Sequence, residues 1–232
     1  MEFVVGMKIM SKLNVLYEDN HIIVVIKPPN VPSQSDISGD KDMLTMVKEY
    51  VKVKYNKPGN VYIGLVHRLD RPVSGIMVFA RSSKAAARLT EQIKTHVFKK
   101  TYLAIVNGLL DVKEGTLVNY IVKQNDNSSK ITVKGRGKLA KLSYTVLEEN
   151  KSKKISLVKI NLETGRHHQI RVQFANIGHP LYGDQRYGKQ DKNQIALYAT
   201  KLEFVHPVKK EPMIFEHNPP NIFPWEVFKS VK

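Results

Sequence analysis

The segment Val66-His67-Arg68-Leu69-Asp70-Arg71-Pro72-Val73-Ser74-Gly75 sets a single carboxylate among basic side chains. In an extended chain successive side chains alternate, so Arg68 and Asp70 share one face and His67 and Leu69 the other. Pro72 biases Arg71 away from the helical region and holds the chain extended just after Asp70. An acid beside a base on one face suits nucleophilic or ion-pair catalysis. An aspartate capping the turn before Gly75 suits the same residues, and the segment alone does not choose between the two.

A second segment, Glu163-Thr164-Gly165-Arg166-His167-His168-Gln169-Ile170-Arg171, opens a helix with many donors and one acid. At ~100° per residue Arg171 lies about 90° off the direction of Ile170, Phe174 and Ile177, at the edge of the buried face. A guanidinium there can reach inward to a carboxylate or snorkel outward to solvent. Elsewhere Gly135-Arg136-Gly137-Lys138-Leu139-Ala140 formally satisfies a loose dinucleotide-binding pattern. That pattern needs a helix directly after it, whereas Leu142, Tyr144 and Val146 alternate as in a strand, so a hairpin turn is expected. The chain has neither the phosphate-loop signature nor an H-E-x-x-H pair, which leaves nucleotide hydrolysis and zinc catalysis without a recognisable site.

The elements that must position these residues follow from periodicity. Val15–Tyr17 and His21–Ile26 are expected as strands around the turn Glu18-Asp19-Asn20, and Pro28, Pro29 and Pro32 force an irregular loop to about Asp42. Met43, Val47, Tyr50 and Val51 mark a helix over Lys41–Tyr55, and Ala86, Leu89, Ile93 and Val97 mark another over Lys84–Val97, capped by Ser82 or Ser83. Val61–Leu69, Gly75–Ala80 and Tyr102–Val106 are expected strands. Thr116–Val122, Lys130–Val133, Lys141–Glu148 and Lys154–Leu162 continue as an antiparallel meander. A helix over His167–Ile177 ends at Gly178 and Pro180, and Leu202–Val205 and Met213–Glu216 are late strands. Trp225 and Phe228 are expected to dock the C-terminal tail on the body. With no repeat or linker, the chain divides into a tail, residues 1–12, and one α+β domain, residues 13–232.

Composition adds a partner class. Lys and Arg number 37 against 21 Asp and Glu, a formal charge of +16, so the surface field attracts polyanions, nucleic acid first among them. A solvated basic surface is the bland alternative. The absence of cysteine removes disulfides, thiolate chemistry and Cys-based zinc sites and fits a reducing compartment. The N-terminal apolar stretch falls far short of the ~20 residues of a membrane span, and a cytoplasmic protein is expected.

Four motifs in order carry a family resemblance. His67-Arg68-Leu69-Asp70 with Ser74-Gly75, Lys100-Thr101-Tyr102-Leu103-Ala104, Gly165-Arg166-x-His168-Gln169-Ile170-Arg171 and Gly183-Asp184-x-x-Tyr187-Gly188 together resemble the RluA-like RNA pseudouridine synthases, over roughly Leu13 to Pro207. The resemblance implies a mixed, largely antiparallel central sheet with flanking helices and a cleft for RNA. It implies an isomerase of rRNA or tRNA that needs no cofactor or metal and acts as a monomer. It names Asp70 as the catalytic carboxylate, Arg171 as its partner and Tyr102 as the aromatic against the flipped uracil. Arg68 would fill the vacated stack, and Arg71, Arg166 and His168 would contact RNA.

The chain departs from the family pattern at several places. Asn30 and Gln34 stand where the early Lys-Pro-x-Gly motif and a later His are usual, His167 replaces a small polar residue, and Tyr198 stands where His is common. These departures bear on substrate choice. Many relatives carry a small N-terminal RNA-binding domain for which the residues before the first strand are too few, so target selection is expected to rest on the catalytic domain. A non-catalytic RNA-binding or ribosome-assembly protein with the same fold is the alternative, and a metal-dependent nuclease lacks the clustered acids it would need.

Overall fold

The structure, a computed structural model, describes residues 13–231, and the expected tail at residues 1–12 lies outside them. The chain folds as two compact units, residues 13–98 with Leu202–Glu216 and Lys99–Lys201 with residues 217–231.

In the first unit β1 (Asn14–Glu18), β2 (Ile22–Lys27), β3 (Gly64–Leu65), β4 (Ser74–Ala80), the latter part of β10 (Leu197–Val205) and β11 (Pro212–Glu216) form the sheet. Its order is β1-β2-β4-β10, with β3 paired to β4 and β11 to β10. The expected turn at Asp19 closes β1 onto β2, its carboxylate accepting from the amides of His21 and Ile22. Helices α1 (Met43–Lys54) and α2 (Ser83–Lys94) begin at Asp42 and Ser82, whose side chains accept from Thr45 and Ala85 amides, caps worth ~1 kcal/mol each. Ala85 and Leu89 of α2 pack on Ile22, Val24, Ile76, Val78, Phe98, Leu202 and Phe204 to make this unit's core.

Two expected elements are shorter than their sequence patterns. Val61–Leu69 forms strand only at Gly64–Leu65; beyond it the His67 ring takes the Val78 amide of β4, and the Ser33 hydroxyl takes both the N–H and the C=O of Leu69. Helix α2 stops at Lys94 because His96 turns left-handed at φ 58°, which swings Val97 off the buried stripe to 44% exposure.

In the second unit β5 (Lys99–Asn107), β6 (Glu114–Lys123), β7 (Ser129–Thr132), β8 (Lys138–Asn150) and β9 (Ile155–Leu162) follow the order β5-β9-β8-β6-β7, with the start of β10 beside β5. Every pair whose register is described is antiparallel, as the meander predicts. Helix α3 (Gln169–Asn176) starts two residues later than its apolar period suggests, since His168 is left-handed at φ 53°. Trp225, Phe228 and Val231 do dock, on Leu103, Ile105, Ile155 and Leu157. The α+β class expected from the residue pattern, and the mixed, largely antiparallel sheet with flanking helices that the family resemblance implies, are thus both found. Among the described residues no helix is long and apolar enough to cross a membrane.

Candidate active site

In the first unit the backbone around Asp70 is held from beneath. Lys27 ends β2 opposite Gly75 of β4 and is fully buried. Its Nζ donates to the carbonyls of Pro28 at 2.9 Å, Arg71 at 2.9 Å and Val73 at 2.7 Å, which uses all three ammonium protons. Burial pushes the Lys27 pKa down to about 7; the Asp70 charge acts to raise it and the Arg71 charge to lower it further. Buried Ser33 holds Leu69 at both backbone groups, and the Val73 amide closes a turn on the Asp70 carbonyl at 2.9 Å. Leu69 and Val73 are buried, Asp70 is half-buried and Arg68 is exposed, so the alternation expected of the segment holds without a strand.

The other named residues here have definite partners. His67 accepts from the Val78 amide at Nε2 and lies against the Phe98 ring at 5.6 Å. Arg71 donates to Ser38 at 2.8 Å and pairs with Asp36 and Asp40. Such exposed pairs are worth ~0–1 kcal/mol, little enough for a phosphate to displace them. Asn30, the departure from the family glycine, sits at φ 64°, a left-handed conformation that asparagine tolerates better than most residues.

In the second unit Tyr102 lies on β5 opposite Ile160, which lies opposite Tyr144 of β8. Side chains in register across neighbouring strands share a face, and the Tyr144 ring meets Phe174 of α3 at 5.5 Å. Tyr102 therefore belongs to the face that α3 covers, at 6% exposure. Arg171, on α3, reaches inward to a carboxylate as its position at the edge of the buried face allows. Nε and Nη2 each lie 2.8 Å from an oxygen of Asp184, a buried two-point fork, and the guanidinium carbon is 5.2 Å from the centre of the Tyr187 ring. Burial alone would raise the Asp184 pKa. The Arg171 hydrogen bond and charge, with the amides of Arg186 and Tyr187, outweigh it and hold the carboxyl below its usual range.

The loop before α3 is tied in the same way. Gln169 accepts from the Thr164 hydroxyl and the Arg166 amide and donates to the Lys141 carbonyl, while Arg166 Nε donates to the Leu139 carbonyl at 2.7 Å. The Tyr187 hydroxyl accepts from the Ser129 amide and lies 2.8 Å from His168 Nδ1. His167 bonds Ser129 through Nδ1 and stacks on His168, ring centres 3.8 Å apart. Tyr198, the other departure, is buried with its hydroxyl 2.6 Å from His217 Nδ1, and burial pushes its pKa up to about 12. Lys100 is buried enough to lower its pKa, and a Cβ on Gly165 would stand 3.3 Å from its Nζ.

Residue type and spacing give no role to Lys27, Ser33 or Asp184. Asp184 lies in the Gly183-Asp184-x-x-Tyr187-Gly188 motif and Lys27 opens the Lys27-Pro28 pair, whereas Ser33 carries no signal, since its partner lies 36 residues away.

This fold and these motifs define a class, and the comparisons give its name. A family model described as RNA pseudouridylate synthase matches residues 21–176, and the chain belongs to that family, in its RluA-like branch, as an isomerase acting on RNA. It is 36% identical over 209 residues to an uncharacterized RNA pseudouridine synthase of Bacillus subtilis, covering 89% of this chain and 68% of the relative. It is 35% identical over 217 residues to the ribosomal large subunit pseudouridine synthase D of Xanthomonas campestris, covering 87% of this chain and 64% of the relative. The fold matches that of human RNA pseudouridylate synthase domain containing 4 with a TM-score of 0.77 at 20% identity, over 96% of this chain and 95% of the other.

Proposed function

We propose that residues 13–232 act as one monomeric, cytoplasmic catalytic domain that converts particular uridines of structured RNA, ribosomal or transfer, to pseudouridine, with Asp70, Tyr102 and Arg171 as its catalytic residues. The target base is first flipped from its stack, at a cost of a few kcal/mol. Arg68 fills the space it leaves, and Tyr102 packs on the uracil, an interaction worth ~1–3 kcal/mol. The N1–C1′ bond breaks, the uracil turns, a C5–C1′ bond forms, and the proton lost from C5 is balanced by one gained at N1. Atoms balance within the nucleotide, so no donor or oxidant is consumed. Asp70 acts as the carboxylate, at the ribose or the base, with Arg171 as its partner. Arg71, Arg166 and His168 contact the RNA.

The observation that supports this most is the clamp on the Asp70 turn. A solvated turn needs no buried lysine on three carbonyls and no buried serine on the preceding residue, whereas a reacting carboxylate gains from a backbone fixed before substrate arrives. Ribosomal RNA is the first candidate, since one relative is named for the large ribosomal subunit. The test is to incubate unmodified ribosomal and transfer RNA transcripts with the protein and map pseudouridine. Site-specific conversion that Asp70→Asn abolishes is the expected result; binding without conversion would favour a non-catalytic RNA-binding or assembly role.

A further inference from the structure

Charge is unevenly placed along the chain. The second unit, Lys99–Lys201 with His217–Lys232, holds 21 Lys and Arg against 9 Asp and Glu, so +12 of the chain's +16 resides there. From Gly115 to Leu147 the only acid is Asp126, and its carboxylate is occupied by the Ser128 amide and hydroxyl. The centre of this stretch is the β7–β8 turn, Val133-Lys134-Gly135-Arg136-Gly137-Lys138-Leu139.

That turn is rigid and exposed. The Arg136 amide donates to the Val133 carbonyl and Lys134 bridges Gly137. Gly135 stands at φ +88°, and a Cβ on Gly137 would come within 2.6 Å of Thr132 Cγ2 and 2.8 Å of the Ile121 carbonyl oxygen, so both glycines are demanded by the backbone. Lys134, Arg136 and Lys138 are therefore displayed within five residues on a fixed support, all exposed. Val133 and Leu139 beside them are 64% and 44% exposed, apolar shoulders that a merely solubilising turn has no use for. At its base the hairpin is bonded to the family motif: Arg166 donates to the Leu139 carbonyl, and Gln169 and Thr164 bond the Lys141 backbone.

We infer that this hairpin is a phosphodiester-binding finger for the substrate RNA. Lys134, Arg136 and Lys138 contact backbone phosphates of the substrate RNA, and Val133 and Leu139 rest on sugar or base surface. The finger is sequence-independent and acts on affinity, not on the chemical step. It rests on the RNA-isomerase function proposed above, of which it names a binding subsite.

The test compares wild type with Lys134→Ala/Arg136→Ala/Lys138→Ala and with the charge-keeping Lys134→Arg/Arg136→Lys/Lys138→Arg. Binding to a fluorescent RNA stem-loop is titrated at several salt concentrations, and pseudouridine formation is followed in an unmodified ribosomal RNA transcript. If each cation meets one phosphate, the alanine variant shows a salt slope shallower by about 2 to 3 and an affinity roughly a hundredfold lower at 0.1 M salt. Its KM rises, its kcat stays at the wild-type value, and the charge-keeping variant behaves as wild type. Unchanged affinity and slope in the alanine variant overturns the finger, and is the outcome expected if the hairpin instead met an acidic protein surface. Loss of kcat with unchanged affinity overturns it as well. Absence of conversion by the wild type, with the binding differences intact, would count against the isomerase assignment and leave the finger standing.

Discussion

Arg171 and Asp184 form a buried two-point fork, Nε to one carboxylate oxygen and Nη2 to the other, each at 2.8 Å. The geometry fixes the plane of the guanidinium as well as its position, because both contacts must be made at once. Asp184 is in turn aimed by the amides of Arg186 and Tyr187, so a glycine-rich loop and a helix are locked by one acid.

Asp184→Asn takes the carboxylate charge out of the buried fork on Arg171, and the expected loss of stability is ~3–5 kcal/mol. The folded pKa of Asp184 lies below its unfolded value, so the contribution is complete above ~4 and is lost as pH falls through the folded pKa. Urea denaturation of wild type and variant at pH 7, 5 and 3.5 checks this. The gap should be equal at the first two and narrower at the third; a gap constant to pH 3.5 would show that the carboxylate charge is not what holds the fork.

Lys27 makes a prediction of the same sign in a higher pH window. Its folded pKa is depressed to about 7, so between there and its unfolded value near ~10.4 the unfolded chain binds the extra proton and wild-type stability rises with pH. The rise is at most roughly 1.4 kcal/mol per pH unit. Lys27→Met lacks this slope and leaves three carbonyls short of a donor, at ~1–3 kcal/mol for each left unpaired. The wild-type stability minus that of the variant, measured by denaturation at pH 7.5 and 9, should increase, and turnover of the variant should fall as the Asp70 turn loosens. Parallel pH curves would mean that Lys27 titrates normally.

Much of this architecture is legible in residue type and spacing, and the exceptions share a cause. The stripe of α1, the first turns of α2, the Ser82 cap, the hairpin at Gly135–Gly137 and the docking of Trp225 are local or strongly patterned, so they survive folding. His96 and His168 trim two helices because a left-handed residue leaves no mark in an apolar period. Lys27 is hidden for a different reason: lysine is the residue type least expected at full burial, and its partners are carbonyls, which every residue has. The Arg171 fork is half legible, since helical geometry puts the guanidinium at the edge of the buried face, free to turn inward or outward, and cannot name Asp184 across a loop.

Gly183 and Gly135 separate two reasons for a glycine. Both have positive φ, but a Cβ on Gly183 would stand 2.3 Å from the Gln194 carbonyl oxygen, whereas Gly135 has nothing within 4 Å. Gly135→Ala should cost only the left-handed penalty of ~1–2 kcal/mol. Gly183→Ala should cost clearly more and also lower turnover, because it displaces the loop that carries Asp184. Thermal melts of the two variants decide the matter, and equal losses would show that Gly183 is kept for its dihedral alone.

Asp70→Asn is nearly isosteric and lacks the carboxylate, so isomerisation should vanish while the melting temperature and RNA affinity stay close to wild type. Residual turnover above about one per cent of wild type would remove Asp70 from the chemistry.

Arg171 distinguishes a positioned partner from a phosphate contact. Lysine keeps the charge but has no planar fork, so in Arg171→Lys only one Asp184 oxygen can be met and the cation shifts from its place. A misplacement of about 1 Å near reacting atoms is worth roughly a hundredfold in rate, which is the expected drop in turnover. The slope of log affinity against log salt should barely change, because a cation paired with protein carboxylates releases no counterion from RNA. A surface phosphate contact behaves otherwise: Arg171→Lys would be mild, and Arg171→Ala would reduce the slope by about 0.7 to 0.9 while leaving kcat unchanged. Both variants, measured for turnover and for affinity at several salt concentrations, give four readouts. Near-normal turnover in the lysine variant together with a shallower slope in the alanine variant would take Arg171 out of the active site and leave its fork with Asp184 a purely structural lock.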